Sequence, residues 1–169
     1  MGVWKVAAKT WSGLMDRIRV LLTNFHRHGQ GGGGHTSYLK TLSKLNDCEE
    51  IEIGVAVPPT SITFKHLKTA GLRHLFPCDF ATKLKETRGI FKSIGQFREV
   101  VKKFTPHIVH TNGGADLSIA HWSYPLKKPY SIIRTHHAIK GLGRDFYHRH
   151  LYNKVVNHNI YVSDSAMEI

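Results

Sequence analysis

The chain has 169 residues, enough for one domain, and its 41% apolar content excludes a disordered polar polypeptide. Lysine and arginine total 24 against 12 acidic residues, so the net charge is +12 before 13 histidines are counted, which favours anionic partners. Cys48 and Cys78 lack a metal-ligand spacing, which excludes a disulfide framework and a zinc ribbon, and no apolar run approaches the roughly 18 residues a bilayer span needs.

Residues 1–17 stand apart. Trp4, Ala7, Ala8, Trp11, Leu14, Met15 and Ile18 recur at helical spacing, with Lys5, Lys9, Asp16 and Arg17 elsewhere on the wheel. The pattern predicts an amphipathic helix, either lying in a membrane interface or docked on the protein's own core. Lys5, Lys9, Asp16 and Arg17 also interrupt any signal-peptide core, and Val6 stands where a myristoylation motif wants Ser or Thr. The expected location is cytoplasmic, peripheral on the inner face of a membrane.

From Ile18 the pattern becomes regular. Ile18–Thr23 and Ile51–Val57 read as buried parallel strands, the second stopped by Pro58 and Pro59. Between them come a loop over 24–34 and a helix over His35–Leu45, with Tyr38, Leu39, Leu42 and Leu45 on one face. Leu72–Phe76 is a short third strand and Leu84–Phe104 a basic amphipathic helix. Strands over His107–His110, Tyr130–Arg134 and Asn159–Val162 then alternate with helices over Ala115–Ser123 and Asp145–Val156. This alternation predicts an α/β fold, a Rossmann-like parallel sheet flanked by helices. Ser163 reads as the N-cap of a helix that barely starts before Ile169, so the chain is expected to be a fragment or a truncated form.

The loop His28-Gly29-Gln30-Gly31-Gly32-Gly33-Gly34-His35-Thr36 links the first strand to the first helix. Consecutive glycines let backbone approach a ligand, and the helix N-terminus behind them offers free N–H groups to a phosphate or a sugar hydroxyl. Gly29-x-Gly31-x-x-Gly34 matches the dinucleotide fingerprint literally. That fingerprint, however, wants its first glycine close behind the strand and an acidic residue ending the second strand, where Val57-Pro58 stands. A P-loop reading fails because His35 occupies the place of the phosphate-binding lysine.

A set of ordered segments carries a more specific signal. These are the strand Ile18–Thr23 followed by the glycine loop and Leu39-x-x-Leu42-x-x-Leu45; Thr105-Pro106-His107-Ile108-Val109-His110-Thr111-Asn112; Lys128-Pro129-Tyr130-Ser131-Ile132-Ile133-Arg134-Thr135-His136-His137; and Asn159-Ile160-Tyr161-Val162-Ser163. In this order they resemble the N-terminal, acceptor-side domain of GT-B glycosyltransferases of family 4, over residues 18–169. His107 departs from the family's usual Asp. The resemblance implies retaining transfer of a sugar from a nucleotide-sugar donor to a lipid-linked, lipopolysaccharide or polysaccharide acceptor, with no metal ion and no other cofactor. It places Gly31, Gly32, Gly33 and Gly34 at the interdomain cleft, and by position it puts His137, with His136 the alternative, beside the transferred sugar. Asn112 and Arg144 join these as substrate-binding candidates. The donor contacts, including an E-x7-E motif, belong in this family to a C-terminal domain that the sequence does not contain, so this chain alone is expected to be inactive.

The histidines do not form a metal pattern. His107 and His110 on one strand point to opposite faces, and His148 and His150 on a helix lie about 200° apart. His26 and His28 share a loop with no carboxylate beside them in sequence. Lys83, Lys85, Arg88, Lys92, Arg98, Lys102 and Lys103 form a solvated helix face or a surface for anionic lipid. Arg134, Lys140, Arg144 and Arg149 follow a strand's C-terminal end, where α/β folds bind ligands. The alternative functions are a basic nucleic-acid-binding module and a non-catalytic remnant. The nucleic-acid reading lacks the exposed aromatics interleaved with basic residues that it needs, so no nucleic-acid partner is expected.

Overall fold

A computed structural model describes residues 17–26, 34–44, 49–83, 87–137 and 146–162. The elements are β1 (Ile18–Thr23), α1 (Gly34–Ser43), β2 (Ile51–Val57), α2 (Ile62–Thr69), β3 (Leu75–Pro77) and α3 (Thr87–Phe104) in the first part. They continue with β4 (Ile108–Thr111), α4 (Gly114–Ser123), β5 (Ser131–His136), α5 (Phe146–His150, prolonged by a π-helical turn over Leu151–Val155) and β6 (His158–Tyr161). Segment 1–17, apart from Arg17, lies outside the described residues.

All neighbouring strands are parallel, in the order β3-β2-β1-β4-β5-β6. β1 lies in the middle: Val20 pairs with Ile53 on one side and Ile108 on the other. Strand order therefore reverses between β1 and β4. Open α/β sheets bind ligands beyond the strands' carboxyl ends at such a point.

Each face of the sheet has its own core, which is why the strands are apolar on both sides. Leu22, Ile53, Val55 and Val57 pack under Leu39 of α1 and Leu67 of α2. Leu21, Val109 and Ile132 pack on the opposite face under Phe97, Val101 and Phe104 of α3 and Leu117 of α4. α3 is amphipathic, burying Phe97, Val100, Val101 and Phe104 while Lys102 and Lys103 stay exposed.

Apart from small shifts in the bounds of other elements, such as α1, β5 and β6, the structure departs from the sequence pattern at α2, β3 and the last helix. α2 is an additional helix. Ser61 caps it by accepting the Phe64 N–H at 3.0 Å, and Gly71 (φ 72°) closes it, with Leu72 N–H donating to Leu67 O at 3.1 Å. β3 sits at Leu75–Pro77, C-terminal to the expected Leu72–Phe76, because Leu72 serves the end of α2. The last helix ends in a π turn, the Val156 N–H bonding to Leu151 O at 3.0 Å, and Leu151, Val155 and Val156 are all buried there. No helix among the described residues is long and apolar enough to cross a membrane.

Candidate functional site

At the carboxyl end of β1 and β4, polar side chains are buried in an otherwise apolar fold. Thr23, Asn24, Thr111, Asn112 and Asp116 are all 4% exposed or less. Such groups persist only where each finds partners. The Asp116 carboxylate, in the first turn of α4, accepts the Thr23 hydroxyl at 2.7 Å and the Asn112 N–H at 2.8 Å through Oδ2. Burial pushes its pKa up, while these hydrogen bonds and the charge of Arg134 pull it down. Asp116 thus ties the end of β1 to the turn after β4. Gly113 in that turn must be glycine, because a Cβ there would overlap the Phe25 ring.

The Asn112 side chain completes the crossing. Its Nδ2 donates to Thr23 O at 2.8 Å, which leaves Oδ1 as the acceptor facing His137 Nε2 at 2.9 Å. This arrangement requires a hydrogen on His137 Nε2. Tyr38 of α1 packs edge-on against His137 at 5.1 Å between ring centroids and against His110 at 6.0 Å. Its hydroxyl lies 3.3 Å from Thr135 Oγ1, which is 2.7 Å from His110 Nε2. Burial pushes His110 down to about 4, so that ring is neutral near pH 7. The result is a hydrogen-bonded wall of Asn112 and His137, supported by Tyr38, Thr135 and His110.

Of the residues singled out from sequence, Asn112 and His137 are brought together. Gly34 opens α1, whereas Gly31, Gly32, Gly33 and Arg144 lie outside the described residues. His136 points elsewhere: it is buried, stacks on Tyr161 at 4.8 Å and meets Asn159 Oδ1 at 2.9 Å. Arg134 lies inside β5, not after it, and is 8% exposed, with its guanidinium 4.7 Å above the Tyr152 ring. His107 is exposed and His110 buried, as opposite strand faces require. His26, read as having no carboxylate near it, lies within the field of Asp116, although burial is the larger influence and lowers its pKa.

Sequence reasoning missed Thr23, Tyr38, His110 and Asp116. The run Asn112-Gly113-Gly114-Ala115-Asp116 carries a usable signal, an acidic residue in the first turn of a helix after a paired glycine. Among the described residues, no group of three or more His, Cys, Asp or Glu is placed to hold a metal ion. The site offers hydroxyl, amide and imidazole groups suited to hydrogen bonding. Oδ2 of its carboxylate is committed to structural hydrogen bonds.

No protein-family model and no curated protein sequence matches the chain. Solved structures do. MurG from Acinetobacter baumannii superposes with a TM-score of 0.58 at 13% identity, over 86% of this chain and 41% of that one. A putative UDP-N-acetylglucosamine 2-epimerase from Listeria monocytogenes superposes with a TM-score of 0.58 at 14% identity, over 91% of this chain and 41% of that one. The chain thus spans well under half the length of either protein, and the likeness is one of fold. The six-stranded parallel sheet flanked by helices is a Rossmann-like fold that matches the GT-B architecture.

Proposed function

We propose that this chain is the acceptor-side Rossmann half of a glycosyltransferase that draws on a nucleotide-sugar donor. The carrying observation is the Asn112–His137 pair, 2.9 Å apart at the switch between β1 and β4 and backed by Tyr38. An imidazole N–H held by an amide, with a tyrosine ring beside it, suits the hydroxyls and face of a sugar better than a diphosphate. The glycine loop, with Gly31–Gly34 leading into α1, is the place for the phosphates or the acceptor, and Arg144 is the cation proposed to approach them. The proposal covers residues 18–169 as one domain. One structural neighbour is named for a nucleotide sugar, UDP-N-acetylglucosamine, which supports this reading.

The finer reading is retaining transfer of the family 4 kind, to a lipid-linked or polysaccharide acceptor at the inner face of a membrane. Donor binding and catalysis then need a second Rossmann domain facing this one, and no metal or other cofactor. A titration monitored by amide NMR tests the site, using nucleotide sugars and free hexoses as probes. The expected result is saturable shifts at Asn112 and His137 that disappear in His137→Ala. Shifts confined to other surfaces, or none, overturn the assignment. Sugar transfer from any nucleotide sugar by the purified 169-residue chain overturns the need for a second domain.

A further inference from the structure

The opposite pole of the sheet holds a second concentration of polar groups, at the amino ends of β1 and β4. A surface cavity of about 580 Å³ opens there, lined among others by Arg19, Arg98, Glu99, Lys102, His107 and Tyr124. Three cations face one carboxylate, so the cavity is electropositive before His107 is counted. Tyr124 supplies an aromatic wall.

The geometry of Arg19 and His107 adds a more specific point. The two residues are locked side by side: His107 N–H donates to Arg19 O at 2.9 Å, and Arg19 N–H donates to His107 Nδ1 at 3.0 Å. Nδ1 is therefore an acceptor, and the ring hydrogen belongs on Nε2. Arg19 Nη2, which can only donate, lies 3.4 Å from that same Nε2. The two donors lie side by side, so one anionic oxygen could accept from both. The Arg19 guanidinium is also held in place, its Nε donating to Thr105 O at 2.8 Å. Thr105 takes the left-handed conformation (φ 44°), which a β-branched residue rarely adopts. Arg98 is braced likewise through Nε to Ser123 O at 2.9 Å, and Lys102 is exposed.

We propose that this cavity is a second ligand site, built for a phosphomonoester carried on a small apolar or aromatic body. A phosphate oxygen would accept from both Arg19 and His107 with Arg98 and Lys102 around the group, and the body would lie against Tyr124. Such a group occurs on soluble phosphorylated compounds and on the headgroup of phosphatidic acid. The site is separate from the one at Asn112 and His137, and it stands whether or not sugar transfer does.

The test is an amide NMR titration at pH 7.5 with inorganic phosphate and with phenyl phosphate, alongside flotation with phosphatidylcholine vesicles containing phosphatidic acid or, at equal charge, phosphatidylserine. Saturable shifts at Arg19, His107 and Tyr124 are expected, with phenyl phosphate the tighter ligand. Lys102→Gln and Arg98→Gln should each weaken it by about tenfold, the effect of one lost charge-assisted hydrogen bond. Arg19→Gln is a poorer choice because Arg19 also restrains Thr105. Long-range nitrogen–proton correlation should place the His107 hydrogen on Nε2; a hydrogen on Nδ1 removes the premise. Stronger capture by phosphatidic acid than by phosphatidylserine vesicles of equal charge, without phenyl phosphate binding, assigns the headgroup as source, provided the two substitutions abolish the excess. Phenyl phosphate binding that both variants retain, or no saturable shift at this pole with either phosphate probe and no excess capture by phosphatidic acid over phosphatidylserine vesicles of equal charge, overturns the proposal.

Discussion

His110 shows how one buried side chain makes stability depend on pH. It is 7% exposed, sits under Tyr38 and meets Thr135, and burial lowers its pKa from 6.5 to about 4. A depressed pKa means that the unfolded chain takes up the proton first as the solution is acidified. The stability is complete above about pH 6.5 and is lost as pH falls toward 4, by about 3 kcal/mol at most. His26, His121 and His136 are lowered too and act in the same direction, while the raised pKa of Asp116 opposes them. Urea midpoints at pH 7 and pH 4.5 should therefore differ clearly, and His110→Gln, which keeps a partner for Thr135, should shrink the difference. An unchanged pH dependence in that variant would remove His110 from the account. The same residue illustrates what the sequence does not disclose. His110 was visible as one of a pair with His107, but its proximity to Thr135 and Tyr38 comes from strand pairing and helix placement.

At the scale of elements, β1 and β2 were legible to the residue. Continuous runs such as IRVLLT and IEIGVAV leave little choice when both faces are buried. α2 escaped notice because its buried positions are few, Thr63 and Leu67, and its apolar stripe is thin. Its end signals, Ser61 and Gly71, were present. The Asn112–His137 contact follows from two motifs read in sequence, whereas the Thr23–Asp116 bond joins positions 93 apart, and only the fold pairs them. Elements also pack tightly enough to test. A Cβ on Gly54 of β2 would lie 2.9 Å from the Phe104 ring of α3. Gly54→Ala should cost about 1–3 kcal/mol through overpacking, read as a lower urea midpoint with an unchanged slope. An unaltered midpoint would mean that Phe104 moves aside without penalty.

For the whole molecule, the +12 charge frames a choice between anionic surfaces. On α3, Phe91 is 70% exposed and is flanked in sequence by Arg88 and Lys92, both also exposed. An apolar side chain among cations suits a lipid interface, where the ring buries and the charges meet headgroups. The chain should float with phosphatidylserine vesicles and bind mixed-sequence DNA more weakly at matched salt. Phe91→Ser should weaken vesicle binding more than DNA binding. Equal losses in both assays, or preference for DNA, would favour the nucleic-acid reading.

The central position of β1 has a consequence for how the chain is made. Among the described strands β1 leaves the ribosome first, yet the partner of Val20 on one side, Ile108, follows 88 residues later. At roughly 5–20 residues per second, Leu21 and Leu22 wait on the order of 4–18 s before their second neighbour exists. Pairings this distant in sequence also lengthen the search that closes them. During that interval the strand destined for the middle of the sheet is a sticky edge. Its safe passage depends on β2 arriving early and on whatever shields the nascent chain.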